Sequence, residues 1–118
     1  MRKYICVYYT TPSGEIPVEN FIESLTEDSQ DAFFYKTKLL EEYGPQLRRP
    51  HTDSIEDGIF ELRFVGKEGR IRILFFFFYE NRIIFTNGFV KKTPKTPRNE
   101  MKLAKQRRKE YLQRRRQR

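Results

Sequence analysis

The sequence is poor in the residues on which much enzyme chemistry is built: its 118 residues include one cysteine, one histidine and no tryptophan. A lone cysteine, Cys6, excludes an intramolecular disulfide and fits a reducing compartment, where it packs as a small apolar side chain. A lone histidine, His51, excludes an imidazole pair working as acid and base. No Cys or His cluster has metal-ligand spacing, so neither a metal nor any other cofactor is expected. The glycine patterns that cradle nucleotides are missing as well. The longest apolar run, residues 73–79, is too short to span a bilayer, and MRKYICVYY holds no apolar stretch of signal-peptide length. The expectation is a cytoplasmic protein with no membrane contact.

What is abundant is aromatic and cationic. Eleven phenylalanines supply a modest core, and 34% charged residues supply a solvated surface, so one domain over residues 1–118 is expected. The net charge is +8, and it is unevenly spread: residues 91–118 carry +11, which leaves residues 1–90 at −3. A cationic segment on a near-neutral body points to a polyanionic partner, nucleic acid before an anionic membrane. The plainer alternative is a solvated charged helix.

Residues 3–10, aromatic and β-branched, read as a strand, followed by the turn chemistry of Thr11-Pro12-Ser13-Gly14. Val18, Phe21, Ile22 and Leu25 then share one face of a short helix. Thr26 is placed to cap a second helix whose stripe is Ala32, Phe33, Tyr35, Leu39, Leu40 and Tyr43, and Gly44-Pro45 stops it. Polar residues 46–57 with Pro50 read as a loop. Period-two alternation follows: Phe60, Leu62 and Phe64 on one face of a strand, Glu61 and Arg63 on the other. The next strand, residues 71–79, is apolar on both faces and so is predicted to be central and covered on both sides. Glu80-Asn81 turns the chain into a last strand over residues 83–90. Thr96-Pro97 opens a final basic helix to about Leu112, with residues 113–118 as a frayed tail. The predicted class is α+β, β-α-α-β-β-β-α, a curved antiparallel sheet with an N-terminal helical hairpin and a C-terminal basic helix.

Sheet geometry should gather a few cations. Arg63 and Arg72 are near neighbours across a tight hairpin, and Lys91 and Lys92 leave the adjoining strand of the same sheet. Such a group without enough acids to pair it suggests an anion site. The alternative is that Arg63 pairs with Glu61 or Glu68 and the lysines are merely solvated.

The runs D-G-I-F-E-L-R-F, G-R-I-R-I-L-F-F-F and G-F-V-K-K-T-P-K-T-P, with a basic helix containing Ala104 and ending near Tyr111, resemble the phage-derived HigB-like branch of the RelE/ParE toxin superfamily. The likeness covers residue 17 to about residue 112 in the right order. It implies a RelE-like fold and the toxin of a type II toxin-antitoxin system, a ribosome-dependent messenger RNA endoribonuclease that inhibits translation and growth without a metal. Arg72 matches the arginine expected to contact the scissile phosphate, Arg63 the basic position on the preceding strand, and Lys91 and Lys92 the basic pair after the last strand. This sequence has no Tyr or His just beyond that pair, so the acid and base stay open, with Tyr111 and His51 as candidates for proton transfer or stacking.

Contacts to RNA and the ribosome are expected from Lys95, Arg98, Lys102, Lys105, Arg107, Arg108, Lys109, Arg114, Arg115 and Arg116. The implied partners are the 70S ribosome with its messenger RNA and a helix-turn-helix, HigA-like antitoxin. Promoter DNA would be bound through the toxin-antitoxin pair, expected as a heterotetramer. A ParE-like gyrase inhibitor and a non-catalytic nucleic-acid-binding module are the competing functions.

Overall fold

In the computed structural model, which describes residues 2–116, the alternating segments in the second half of the chain become an antiparallel meander: β2 (Thr52–Glu56), β3 (Ile59–Gly66), β4 (Gly69–Phe78) and β5 (Arg82–Lys91). A fifth strand, β1 (Ile5–Tyr8), joins the edge of β5, giving the order β1-β5-β4-β3-β2. β1 runs parallel to β5, with Ile5 opposite Arg82 and Tyr8 opposite Phe85. The sheet is therefore mixed, not wholly antiparallel as expected. The chain leaves β1 through two helices and enters the meander at the far edge, and only this route sets the direction in which β5 meets β1.

β2 stands where a loop over residues 46–57 was expected. It is a polar edge strand, TDSIE, so it lacks the apolar alternation that marks a buried one. Asp57 and Gly58, with φ of 51° and 75°, make the two-residue turn into β3. Glu80 and Asn81, with φ of 62° and 57°, turn β4 into β5 as the sequence predicts.

β4 is covered on both sides. Ile71, Ile73 and Phe75 join Leu62, Phe64, Ile83 and Phe85 in a core beneath α1 (Pro17–Glu23) and α2 (Glu27–Tyr43). Val18, Ile22, Leu25, Phe33 and Leu40 supply the helical side of that core. Thr26 caps α2 by accepting from the Ser29 N–H, and Gly44 ends it with φ of 53°. Tyr35 and Tyr43, expected on the buried stripe, are exposed. Glu41 is buried instead, and its carboxylate accepts from the Cys6 N–H at 2.9 Å, closing part of the β1 edge. Gly88 lets α1 approach β5, since a Cβ there would lie 2.6 Å from the Phe21 ring.

On the opposite face Leu74, Phe76, Ile59 and Ile84 meet Met101, Ala104 and Tyr111 of α3 (Arg98–Arg116). Acids of the body hold this helix down. Glu56 pairs with Arg98 at 2.7 Å and with Lys105, and Asp57 pairs with Arg108; within the helix Glu110 pairs with Arg114 one turn on and also accepts from the Tyr9 hydroxyl of the body. α3 runs past Leu112 to Arg116, so residues 113–116 are helical where fraying was expected. Arg114 also donates to Thr10 O at 2.7 Å, and Arg115 stacks on Tyr111 with its charge centre 5.0 Å from the ring centroid. Residues 117 and 118 of the expected tail lie outside the described residues. Among the described residues no helix is long and apolar enough to cross a membrane.

Candidate anion site at the open end of the sheet

Cross-strand register sets the arrangement. Arg63 lies directly opposite Arg72 in the β3–β4 ladder, and Arg70 lies opposite Lys91 in the β4–β5 ladder. Paired residues project from the same face, as do residues two apart, so Arg63, Arg70, Arg72 and Lys91 share one side of the sheet. It is the side on which α3 packs, but the first buried residue of α3 is Met101. The end carrying the cations is open.

Two clefts flank Arg63. The first, about 570 Å³, lies between β2, β3, the end of β5 and the lead-in to α3, and is lined by Glu61, Arg63, Lys91, Lys95, Arg98 and Met101 among others. The second, about 540 Å³, wraps the free edge of β3 beyond its pairing with β2, and Lys36, Arg49, Arg63, Arg70 and Arg72 line it. No acidic side chain among the described residues lines this second cleft.

The depth of the groups differs. Arg72 is 3% exposed and Glu61 2% exposed. Glu61 Oε2 lies 3.6 Å from Arg63 Nε and 3.7 Å from Arg72 Nε, near enough for Coulomb attraction but too far for a hydrogen bond to either. Glu61 Oε1 and Arg72 Nε are both buried without a hydrogen-bond partner, while an Arg72 terminal nitrogen donates to Ile71 O at 3.0 Å. Burial lowers the Arg72 pKa, Glu61 opposes that shift, and Arg63 and Arg70 add to it. One carboxylate thus serves two guanidinium groups, and Arg72 forms the floor of the site. The Arg63 side chain, 29% exposed, is the member of the pair that meets solvent. Arg70 and Lys91 take part in no ion pair among the described residues.

The other sequence-predicted cations fall into three groups, Arg98 belonging to two of them. Lys92 follows Lys91 and is exposed, and Lys95 and Arg98 line the first cleft. Arg98, Lys105, Arg107, Arg108, Arg114 and Arg115 are engaged within the molecule, Arg107 through Thr86 O at 2.8 Å. Lys102, Lys109 and Arg116, seven residues apart, are exposed along one outward stripe of α3. Tyr111 is buried against Phe76 and Phe78, with ring centroids 5.8 and 5.1 Å away, and so stands four residues or more along β4 from Arg72. Glu68 does not reach Arg63. It accepts from the Thr26 N–H at 2.6 Å and from the Ser29 hydroxyl, which lowers its pKa to about 2.

His51 sits beside the second cleft. Its backbone oxygen accepts from the Arg63 N–H at 2.8 Å, and its Nδ1 lies 2.8 Å from Lys36 Nζ. Burial first and the Lys36 charge second push the imidazole pKa below its usual 6.5, and burial also lowers that of Lys36. The neutral ring therefore accepts from the ammonium. His51 is the only histidine, so its titration is read without overlap. An NMR midpoint below 6.5 is expected, moving upward in Lys36→Met; a midpoint at or above 6.5 would contradict the contact. The sign for stability follows: the folded protein resists a proton that the unfolded chain accepts, so stability falls as pH drops below about 6.5.

Arg70, Glu61, Lys36 and Arg49 complete a site of which the sequence pattern named Arg63, Arg72 and Lys91; Lys92, expected with them, is exposed beyond the end of β5 and lines neither cleft. The alternation R-I-R already put Arg70 on the face of Arg72. Nothing local announces Lys36 or Arg49.

Residues 20–109, about three-quarters of the chain, match the family described as Phage derived protein Gp49-like (DUF891). The matched segment contains β3, β4, β5 and most of α3, and with them every cation of the open face. No curated protein matches the sequence significantly. An α+β chain with a five-stranded mixed sheet and three helices, matched over that span, belongs to the Gp49-like family of phage-derived proteins, a RelE-like, toxin-type family.

Proposed function

We propose that this protein is the toxin of a type II toxin-antitoxin pair, HigB-like with a RelE-like topology, and that it cuts messenger RNA on the ribosome without a metal. The observation that carries the reading is the Arg63–Arg72 pair, bridged by one buried carboxylate and flanked by Arg70 and Lys91 at an open sheet end. In the reaction the ribose 2′ oxygen bonds to the adjacent phosphorus and the bond to the 5′ oxygen of the next nucleotide breaks. Negative charge grows on the non-bridging oxygens and on the leaving oxygen. Guanidinium groups held in place beforehand stabilise that charge without reorganising, and they stay protonated at any working pH.

Arg63 is the group assigned to the phosphate, with Arg72 beneath it as the buried anchor that fixes its position. His51, whose one acceptor nitrogen is engaged by Lys36, is not placed to accept the 2′ proton, so the general base is left unassigned, and the Lys91 ammonium is suited to donate a proton to the leaving oxygen. Tyr111, fixed in the core, keeps α3 on the sheet. The site lacks an aromatic platform to hold a nucleotide in line, and the ribosome supplies that alignment. The outward stripe of Lys102, Lys109 and Arg116 is free to meet ribosomal RNA phosphates. A helix-turn-helix antitoxin, with promoter DNA bound through the pair as a heterotetramer, belongs to the same reading. Exposed Phe34, Tyr35 and Tyr43 of α2 offer apolar surface to such a partner.

The test is a short pulse of expression followed by mapping of messenger RNA ends. Codon-spaced cuts with arrested growth are expected. Uncut messengers with a DNA-damage response mean a gyrase inhibitor instead, and uncut messengers without one mean a binding module.

A further inference from the structure

Resting on the RNA reading of the Arg63 site, we infer that the acid-free cleft round the free edge of β3 is a second phosphate-binding segment. It carries single-stranded nucleic acid from the open face of the sheet round to α2. Three observations lead there. The cleft is lined by five cationic side chains and, among the described residues, by no acid; Arg49 pairs with Asp53 at 2.8 Å and Arg63 and Arg72 share Glu61, all outside the lining, which leaves Lys36 and Arg70 without a carboxylate partner among those residues. Arg70, exposed on β4, has no ion pair among those residues, so its charge is available to a ligand. The segment of β3 beyond Leu62 has no β2 partner; the Arg63 N–H is taken by His51 O at 2.8 Å and Ser29 packs against Gly66, but Val65 between them is 71% exposed, so among the described residues this stretch of the edge meets solvent.

The path of the cleft selects the ligand. Arg70 and Arg72 project from the face that carries α3, whereas Lys36 belongs to α2 on the other face. A backbone that follows these charges must turn round the thickness of one strand. Duplex DNA, stiff over roughly 150 base pairs, cannot make that turn. A single strand can. Arg63 lines both clefts, so a strand threading from one to the other passes over it midway. The lining of the edge cleft offers Phe64 as its only aromatic, and Phe64 is buried. Recognition is then by phosphates alone, independent of sequence and steeply dependent on salt.

The experiment measures fluorescence anisotropy of a labelled ten-nucleotide single strand with the full chain, across a salt series. The deoxyribo form lacks the attacking hydroxyl and cannot be cut, so it reports binding only. Arg70→Glu is expected to weaken binding at least about fivefold at 0.1 M salt and to reduce the slope of log K against log salt by about 0.7 or more. The ribo and deoxyribo strands should bind alike, and the duplex of the same sequence should show no dependence on Arg70. Lys38→Glu, exposed on α2 beside Arg2 and Glu42 and not part of the cleft lining, should leave single-strand binding unchanged. Unchanged binding in Arg70→Glu overturns the track, as does a duplex that binds with the same Arg70 dependence. The two readings fail separately. Arg70-dependent binding beside uncut messengers removes the nuclease and keeps the track; cut messengers beside Arg70-indifferent binding do the reverse.

Discussion

Arg63→Ala is expected to slow messenger cleavage on ribosomes by about 10²- to 10³-fold, the cost of removing one preorganised donor from a developing oxyanion. The fold should survive. The Arg63 side chain is nearly one-third exposed, and its partner Glu61 still has Arg72 when Arg63 is gone. A pair with one solvent-facing member contributes on the order of 1 kcal/mol or less, so the melting temperature should stay within about 8 °C. Arg63→Lys keeps the charge but loses the planar fork and should recover only part of the rate. Growth arrest, cleaved ends and a melting curve on the same variant separate chemistry from folding. Full activity in Arg63→Ala would remove this residue from the mechanism. Arg72→Ala is a poorer probe, because it strips a buried charge and its loss of toxicity would not distinguish catalysis from unfolding.

Three strands of the meander, β3, β4 and β5, were legible because their signal is local. Alternation in β3 and β4 tells which side chains share a face, and the same alternation sets Arg63 beside Arg72 once the turn at Lys67-Glu68 fixes the register. The apolar character of both faces of β4 foretold cover on both sides, and Thr26 and Gly44 marked the ends of α2. What was not legible depends on distance along the chain. β2 is too polar and too exposed to show a period, although Asp57-Gly58 is a hairpin signal that could have revealed it. The parallel pairing of β1 with β5 follows from the route of the chain and leaves no mark in either segment.

The charges were misleading in a related way. Counting from Lys91 onward gives a strongly basic tail, yet Glu56, Asp57 and Glu110 meet four of its cations within the folded molecule. Much of the apparent polyanion signal is thus taken up within the fold, and among the described residues the exposed, unpaired remainder lies on Lys92 and Lys95 before α3 and on Lys102, Lys109 and Arg116 along it. Net charge could not show this, because the two acids on the β2–β3 hairpin approach α3 only after the sheet forms. The same holds for Lys36 and Arg49. They reach the edge of β3 through packing of α2 and through the loop before β2, not through spacing in the sequence.

The buried carboxylate sets the other large effect. Glu61→Leu leaves Arg72 as an uncompensated guanidinium at 3% exposure, beside a second arginine that now repels it. Removing one member of a buried ion pair costs about 3–5 kcal/mol, so the melting temperature should fall by roughly 12–25 °C. Arg72→Met should cost less, since Glu61 keeps Arg63. Glu61 serves two partners and Arg72 only one, and that asymmetry distinguishes this arrangement from a simple pair. In the double variant Glu61→Leu, Arg72→Met, no charge is left buried and an apolar contact takes its place. Its stability should return to within about 1–2 kcal/mol of the starting protein, because a buried ion pair contributes little beyond a well-packed apolar substitute. Messenger cleavage should remain lost in the double variant, since Arg63 then has no anchor beneath it. Chemical denaturation of the four proteins closes the cycle: losses that simply add would show that Glu61 and Arg72 do not depend on each other. A refolded double variant that still cut messenger RNA would take the buried pair out of the chemistry and leave Arg63 to act alone.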